Sequence, residues 1–135
     1  MPVVLDSSIL VAFERRRFDF ERLLLDHGPA AIASITAAEL LIGVERADSP
    51  QRRNRRESFV QGLFARMPIV PFDIAQAGLF AVHFADLANR GQIIGDRDLQ
   101  IAVTALSMNY DLATLNTGEF QRVQGLRLIN VSGYM

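Results

Sequence analysis

The sequence predicts an α/β fold in which a parallel sheet is covered on both faces by helices. Short, uniformly apolar runs recur along the chain, as in strands that are buried on both sides. Amphipathic segments of helical length separate these runs, which indicates alternating strands and helices. The 135 residues, half of them hydrophobic, suffice for one buried core. No repeat, low-complexity tract or linker interrupts the chain, so we expect a single domain spanning residues 1–135.

Five apolar runs are the predicted strands: residues 2–5, 31–33, 69–72, 112–115 and 126–131. Apolar residues at helical spacing predict the helices between them: residues 9–13, 18–26, 36–46, 51–66, 74–90, 97–108 and 116–122. Asp73 is a suitable N-cap for the long helix at 74–90, and Gly91 a suitable stop behind it. The alternation of the two kinds of segment gives the fold class.

The composition narrows the available chemistry to carboxylates. The chain has no cysteine, which excludes disulfides, thiolate nucleophiles and the usual structural zinc sites. Every basic residue is arginine, which excludes a phosphate-binding or Schiff-base lysine. The net charge of −1 gives no overall attraction to nucleic acid. Binding of a polyanion must therefore depend on local patches of charge.

The chain also lacks the signatures of export and of membrane insertion. No apolar run approaches the ~20 residues that a membrane span needs. No signal peptide precedes the first predicted strand. Together with the absence of cysteine, these features predict a cytoplasmic protein without a membrane partner.

Polar residues lie near the carboxyl ends of the predicted strands. Asp6 follows the first strand, Glu39 lies shortly after the second, and Asn116 follows the fourth. Asp98 lies on the apolar helix that leads into the fourth strand. Ligands of parallel sheets bind beyond the carboxyl ends of the strands. We therefore expect these four residues to converge on one rim of the sheet.

Three acids in apolar settings, Asp6, Glu39 and Asp98, predict a site for a divalent metal. A carboxylate at the start of a buried helix, such as that of Asp98, costs free energy unless a positive charge lies beside it. Three carboxylates offer hard oxygen ligands for Mg²⁺ or Mn²⁺ and leave room for water and a phosphate. A metal held in this way activates water and stabilises charge on a phosphoryl group. Hydrolysis of phosphodiesters is therefore the favoured chemistry.

Helix capping is the alternative explanation for most of these acids. A capping side chain accepts from the first backbone N–H groups of a helix, and both Asp6 and Asp96 stand where such a cap is expected. Capping-box spacing, with Glu three residues after the cap, occurs twice. The two pairs are Thr36 with Glu39 and Asn116 with Glu119.

Helical spacing separates the acids that face the core from those that do not. Glu39 has Ile35 and Ile42 as helical neighbours, and Asp98 has Ile101 and Ala102. Both carboxylates therefore lie on or beside a buried stripe, which favours a role in the site. Asp96 lies two residues before Asp98. We expect it to cap the helix or to support the metal ligands by hydrogen bonds.

Four segments together resemble the PIN-domain nucleases, and within them the VapC-type toxins of type II toxin–antitoxin systems. They are residues 4–10 (VLDSSIL), 35–43 (ITAAELLIG), 94–102 (IGDRDLQIA) and 112–120 (LATLNTGEF). No single segment is specific, but the four in this order and spacing are. The resemblance covers essentially the whole chain.

This resemblance implies a three-layer α/β/α sandwich with a central parallel sheet of about five strands, and Mg²⁺- or Mn²⁺-dependent endoribonuclease activity. The metal-binding acids of the family correspond to Asp6, Glu39 and Asp98. Where the family often has a fourth Asp, this chain has Asn116, and Glu119 is a candidate substitute. Implied partners are an RNA substrate, with tRNA as one candidate class, a cognate antitoxin protein, and a second copy in a homodimer. An antitoxin arginine would pair with the acid cluster.

Further residues are expected to assist. Asn116 and Ser8 are candidates to position water or phosphate. Arg97 beside the site is a candidate for RNA contact, and so is an arginine cluster that could instead be a solvated helix face. Its members are Arg52, Arg53, Arg55 and Arg56.

Two other functions compete with the nuclease. A catalytically inactive PIN-like RNA-binding or protein-interaction module would explain the missing fourth acid, although such a module need not retain buried charge. A Mg²⁺-dependent phosphatase of another α/β family is disfavoured, because those enzymes usually need a second Asp two residues after the first. This chain has Ser8 two residues after Asp6.

Overall fold

The structure, a computed structural model, describes residues 2–135 and contains four parallel strands. They are β1 (Val3–Leu5), β2 (Ala30–Ala33), β3 (Ile69–Val70) and β4 (Asp111–Ala113). The strand order is β3-β2-β1-β4, and every neighbouring pair is parallel. The order reverses at β1, because β2 and β3 are added on one side of it and β4 on the other. Parallel sheets bind their ligands beside such a switch point.

Seven helices and a terminal 3-10 turn account for most of the remaining described chain. The helices are α1 (Ser7–Glu14), α2 (Phe20–His27), α3 (Ser34–Glu45), α4 (Pro50–Arg66), α5 (Ile74–Asn89), α6 (Asp96–Met108) and α7 (Thr117–Phe120), and the turn is Ser132–Tyr134. Among residues 2–135, none of these helices is both long and apolar enough to cross a membrane.

The sheet lies between two apolar clusters, which confirms the predicted three-layer architecture. Successive side chains of a strand point to opposite faces. Accordingly Val3 and Leu5 join the cluster formed with α1, α2 and α4, whereas Val4 joins the cluster formed with α5, α6 and α7. All three strand residues are fully buried. This explains why the strands read as continuous apolar runs in the sequence.

The predicted fifth strand is reduced to a single bridge. Leu128 pairs in parallel with Leu112 of β4. The N–H of Leu112 donates to the carbonyl of Arg127 at 2.8 Å, and the N–H of Ile129 donates to the carbonyl of Leu112 at 3.0 Å. The chain then turns away from the sheet, because Tyr134 is buried against α2 in the terminal turn. The prediction of about five strands is therefore one strand too high.

The starts of α3 and α6 differ from the predictions, whereas the predicted cap of α5 is confirmed. Helix α3 begins at Ser34, two residues before the predicted start, with Ala33 at the N-cap. Helix α6 begins at Asp96 itself, with Gly95 at the N-cap and no side-chain capping hydrogen bond. The prediction that Asp96 caps this helix is therefore wrong. Asp73 caps α5 as predicted and accepts from the N–H of Gln76 at 3.0 Å.

Helix α6 is the most deeply buried helix beside the sheet. Its residues Leu99, Ala102, Val103 and Ala105 have no exposed surface, and Ile101 has almost none. The helix packs against α5 on one side and against β1, β2 and β4 on the other. Because close packing on several sides leaves little room for rotation, α6 holds Asp98 in a fixed place near the sheet.

Truncation of Leu99 tests the contribution of this helix to stability. We expect Leu99→Ala to lower the free energy of unfolding by about 2–5 kcal/mol, because it removes buried methyl groups and leaves a cavity. Leu25→Ala is the matched control, since Leu25 is 85% exposed and its change should cost less than about 1 kcal/mol. Urea unfolding followed by circular dichroism measures both. Equal costs for the two variants would contradict the role given to α6.

Candidate active site

Asp6 lies at the carboxyl end of β1, where it is held rigidly. Its side chain is only 4% exposed. Oδ1 accepts from the backbone N–H of Ser7 at 2.8 Å, so Asp6 is the N-cap of α1. Oδ2 accepts from the hydroxyl of Ser8 at 2.7 Å. Capping and a role in the site are thus compatible for this residue, because the cap fixes the carboxylate at the rim of the sheet.

Thr114, which the sequence reasoning did not single out, ties the end of β4 to Asp6. Its Oγ1 donates to Asp6 Oδ2 at 2.7 Å and accepts from the N–H of Asn116 at 3.0 Å. The hydroxyl of Ser8 makes the reciprocal link by accepting from the N–H of Leu115 at 3.0 Å. The signal available in the sequence was a threonine within the apolar run 112–115. These bonds fix the two strand ends that flank the switch point.

Glu39 lies on α3 with its carboxylate turned toward the site. Its side chain is 24% exposed, and Oε2 lies 3.5 Å from the guanidinium of Arg97. Burial raises the pKa of the Glu39 carboxyl, Arg97 partly offsets this, and the negative charge of Asp6 raises it further. The capping box with Thr36 is absent, because Thr36 lies inside α3 and its buried hydroxyl has no hydrogen-bond partner within residues 2–135.

Asp98 and Glu119 form a close carboxyl pair on the opposite side of the site. Burial raises the pKa of Asp98 to about 6, and a hydrogen bond to Glu119 adds to the increase. The negative charges of Glu119, Asp6 and Glu39 raise this pKa further. The capping box that Asn116 and Glu119 could form is absent, since α7 has no side-chain cap. Four carboxyl groups therefore act on one another here.

Two predicted residues remain at the edge of this cluster. Asp96 is exposed in the first turn of α6, where its carboxylate is favourably placed relative to the helix dipole. Asn116 is exposed at the start of α7, and its amide side chain makes no hydrogen bond to another described residue. The structure thus brings together Asp6, Glu39, Asp98 and Glu119, and leaves Asp96 and Asn116 beside them.

The carboxylate oxygens of the four acids are ligands of the kind that a hard divalent cation prefers. The four side chains are not arranged around one point as the ligands of a bound metal are. Among residues 2–135, no three acidic or histidine side chains already converge as metal ligands. Glu39 is drawn toward Arg97, and Asp98 toward Glu119. Burial and neighbouring negative charges raise the pKa of Glu39 and of Asp98, and a cation bound among the acids would oppose both increases.

The structure divides the arginine cluster of α4 into paired and unpaired members. Arg52 forms an ion pair with Asp48 at 2.8 Å, and Arg53 pairs with Glu45 at 2.9 Å. Arg56 donates to the carbonyl of Gly43 at 2.8 Å. Within residues 2–135, Arg55 makes no ion pair or side-chain hydrogen bond. The four arginines are therefore unequal as candidates for contact with an anion.

Comparison with known proteins agrees with this fold. The PIN-domain family profile matches residues 3–126. Ribonuclease VapC1 of Rickettsia felis is 35% identical over 132 residues, which cover 98% of each chain. The tRNA(fMet)-specific endonuclease VapC of Shigella flexneri is 36% identical over 107 residues, 79% of each chain.

A solved structure shows the same architecture. VapBC2 from Rickettsia felis, bound to a DNA fragment from its promoter, superposes with a TM-score of 0.85 at 30% identity, covering 96% of this chain and 98% of that one. The chain belongs to the PIN-domain family and, within it, to the VapC ribonucleases.

Proposed function

We propose that this protein is the toxin of a toxin–antitoxin pair, a cytoplasmic endoribonuclease that hydrolyses RNA phosphodiester bonds with the help of Mg²⁺ or Mn²⁺. The observation that carries the proposal is the cluster of Asp6, Glu39, Asp98 and Glu119 at the switch point of the sheet. Burial and the neighbouring negative charges raise the pKa of Glu39 and of Asp98, so keeping these carboxylates ionised costs the protein free energy. A cation and the phosphate that it attracts would offset this cost.

Asp6, Glu39 and Asp98 are the proposed metal-holding residues, with Glu119 rather than Asn116 in the place of the fourth acid. When bound, the cation would activate the attacking water and neutralise charge on the phosphoryl group. Ser8 and Thr114 orient the Asp6 carboxylate through short hydrogen bonds. A hydroxyl that donates to a ligand carboxylate fixes its direction and influences its affinity.

The remaining polar groups have roles that follow from their positions. The Asp98–Glu119 pair can hold one proton between its two carboxyl groups near neutral pH, since the pKa of Asp98 is about 6. Arg97, now 3.5 Å from Glu39, would be released to contact a substrate phosphate once Glu39 engages a cation. Asn116 and Asp96 remain proposed orienting groups at the rim.

The proposed protein partner is a cognate antitoxin. A further solved relative, VapBC-5 from Mycobacterium tuberculosis, is a member of the VapBC family of toxin–antitoxin systems. An antitoxin arginine could occupy the acid cluster by charge-assisted pairing, and the Arg97–Glu39 contact supports this because it places a guanidinium at the site already. The proposed RNA substrate has tRNA as one candidate class, in line with the tRNA(fMet) endonuclease among the relatives.

A homodimer is the proposed assembly, and α5 offers a surface for it. The helix is strongly apolar, yet only Gln76 and Leu87 are buried. Ile74 is 88% exposed and Val82 is 64% exposed on the same stripe of the helix. Monomeric proteins rarely expose a continuous apolar face of this kind. A second copy packed along α5 would cover it.

Removal of a cluster carboxylate tests the nuclease. We expect Asp98→Asn to lower cleavage of purified small RNA by about a hundredfold or more in Mg²⁺, and EDTA to abolish cleavage by the wild type. Glu57→Gln, an equal loss of one carboxylate on the exposed face of α4, should retain activity. Gel analysis of RNA fragments gives both results. Cleavage that survives EDTA or Asp98→Asn would overturn the metal-dependent mechanism, and binding without cleavage would favour the inactive module.

The raised pKa of Asp98 predicts a pH-dependent gain in stability when its charge is removed. Ionisation of Asp98 opposes folding as pH rises from the unfolded pKa toward the folded pKa of about 6, because the folded state holds the proton more tightly. In EDTA, Asp98→Asn should therefore raise the melting temperature by a few degrees near pH 8 and much less near pH 4.

Asp86→Asn is the control with the opposite sign. Its hydrogen bond to Arg90 lowers the pKa of Asp86, so this carboxylate stabilises the folded state above its unfolded pKa. We expect the change to lower the melting temperature slightly near pH 8. Differential scanning calorimetry at the two pH values measures both variants. A gain for Asp98→Asn that is equal at both pH values would contradict the electrostatic explanation.

A charge placed on α5 tests the dimer. We expect the wild type to elute as a dimer and Val82→Asp as a monomer, because a buried unpaired carboxylate would oppose packing of the apolar face. Leu25→Asp is the control, because it places the same charge at an exposed position of α2. We expect this variant to remain dimeric. Size-exclusion chromatography with light scattering gives the mass. Dimers of equal affinity for all three proteins would exclude α5 as the interface.

A further inference from the structure

A groove lined by arginines leads away from Glu39 across the ends of α1, α3 and α4. Its inner part, of about 190 Å³, is lined by Glu39, Arg15 and Arg56, among others. Its outer part, of about 500 Å³, is lined by Arg16, Arg52, Arg55 and Arg56. Arg56 and Glu14 line both parts, so the two cavities adjoin. We call the two together the arginine groove.

The groove carries a local excess of positive charge. Its lining includes five arginines and only two acids, Glu14 and Glu39. Of the arginines, Arg52 is neutralised by Asp48, which leaves four. Since the whole chain has a net charge of −1, this surface differs in sign from the protein as a whole. A local positive groove that ends at an acidic site suits a strand of phosphates.

Within residues 2–135, three of the groove arginines make neither an ion pair nor a side-chain hydrogen bond: Arg15, Arg16 and Arg55. Arg16 also adopts a left-handed backbone conformation, with φ of 58°, at the end of α1. Glycine is usual at such a helix end, because a side chain costs about 1 kcal/mol or more there. The chain thus keeps an arginine where folding alone favours glycine, and its side chain lines the groove.

We propose that the arginine groove binds the sugar–phosphate backbone of the single-stranded RNA that flanks the scissile bond, with Arg16 and Arg55 as its principal phosphate contacts. This proposal rests on the proposed ribonuclease function, whose site it extends. Phe59 lines the outer cavity between these arginines and offers an aromatic surface to a base. Substrates should therefore need several nucleotides on the side of the cut that occupies the groove.

Binding measured without cleavage separates this proposal from the proposed activity. The probe is a fluorescein-labelled single-stranded RNA of mixed sequence, about 20 nucleotides long, with anisotropy recorded in EDTA. The test protein carries Arg16→Gly together with Arg55→Gln. The control carries Arg17→Gln together with Arg46→Gln, which removes the same charge from exposed positions outside the groove.

We expect the test protein to bind the RNA about tenfold more weakly, with the slope of log affinity against log salt reduced by about 1.4, since each lost phosphate contact contributes about 0.7. The control should stay within about twofold of the wild type. Arg16→Gly alone should leave the melting temperature unchanged or raised, because it relieves the left-handed strain at that position. Weaker binding together with retained stability is a result that misfolding cannot produce.

Three results would overturn the proposal. Equal weakening of the test and control proteins would mean that net charge alone matters, and unchanged binding of the test protein would mean that the groove takes no phosphate. Displacement of the RNA by a poly-glutamate peptide as effectively as by unlabelled RNA would assign the groove to an acidic protein segment. Absence of cleavage by the wild type in Mg²⁺ would count against the nuclease only, because these binding measurements do not depend on it.

Discussion

The mutual repulsion of four carboxylates at one end of the sheet is the constraint on which the rest of the structure depends. Asp6 is fixed by four strand-end and helix-start hydrogen bonds that link Ser7, Ser8 and Thr114 to its two oxygens. Asp98 is fixed by the packing of α6. Without this support the acids would turn outward to water, where their charges would interact weakly. The core thus holds together groups that, taken alone, destabilise it.

This arrangement gives the free protein two partial means of relieving the repulsion. One is a proton, retained by Asp98 beside Glu119 because burial and neighbouring charges raise its pKa. The other is the guanidinium of Arg97, which lies near Glu39. Both contacts place positive charge or a proton beside carboxylates that would otherwise repel one another.

The charge of the protein surface changes sign over a short distance around the site. Acids converge at the switch point, whereas arginines line the groove that leads away from it. Under the proposed function, the acids would hold a cation at the phosphate of the cut, and the arginines would contact the neighbouring phosphates. Arg52 and Arg53 are paired with acids. Contact with the neighbouring phosphates would therefore depend on Arg55 and on the two groove arginines that follow α1.

Local sequence patterns predicted the fold class and the candidate acids Asp6, Glu39 and Asp98, because strand and helix periodicities are local and parallel strands end at a common rim. It did not determine the fifth strand, since an apolar run such as 126–131 is buried equally well by packing on a helix as by pairing in a sheet. The structure shows three further points: Asp96 does not cap α6, Thr114 anchors Asp6, and Glu119 rather than Asn116 approaches Asp98. The contacts of Thr114 and Glu119 join residues from different elements, so their distances depend on how α6, α7 and the strand ends pack together. The role of Asp96 depends instead on where α6 begins, because the helix already starts at this residue.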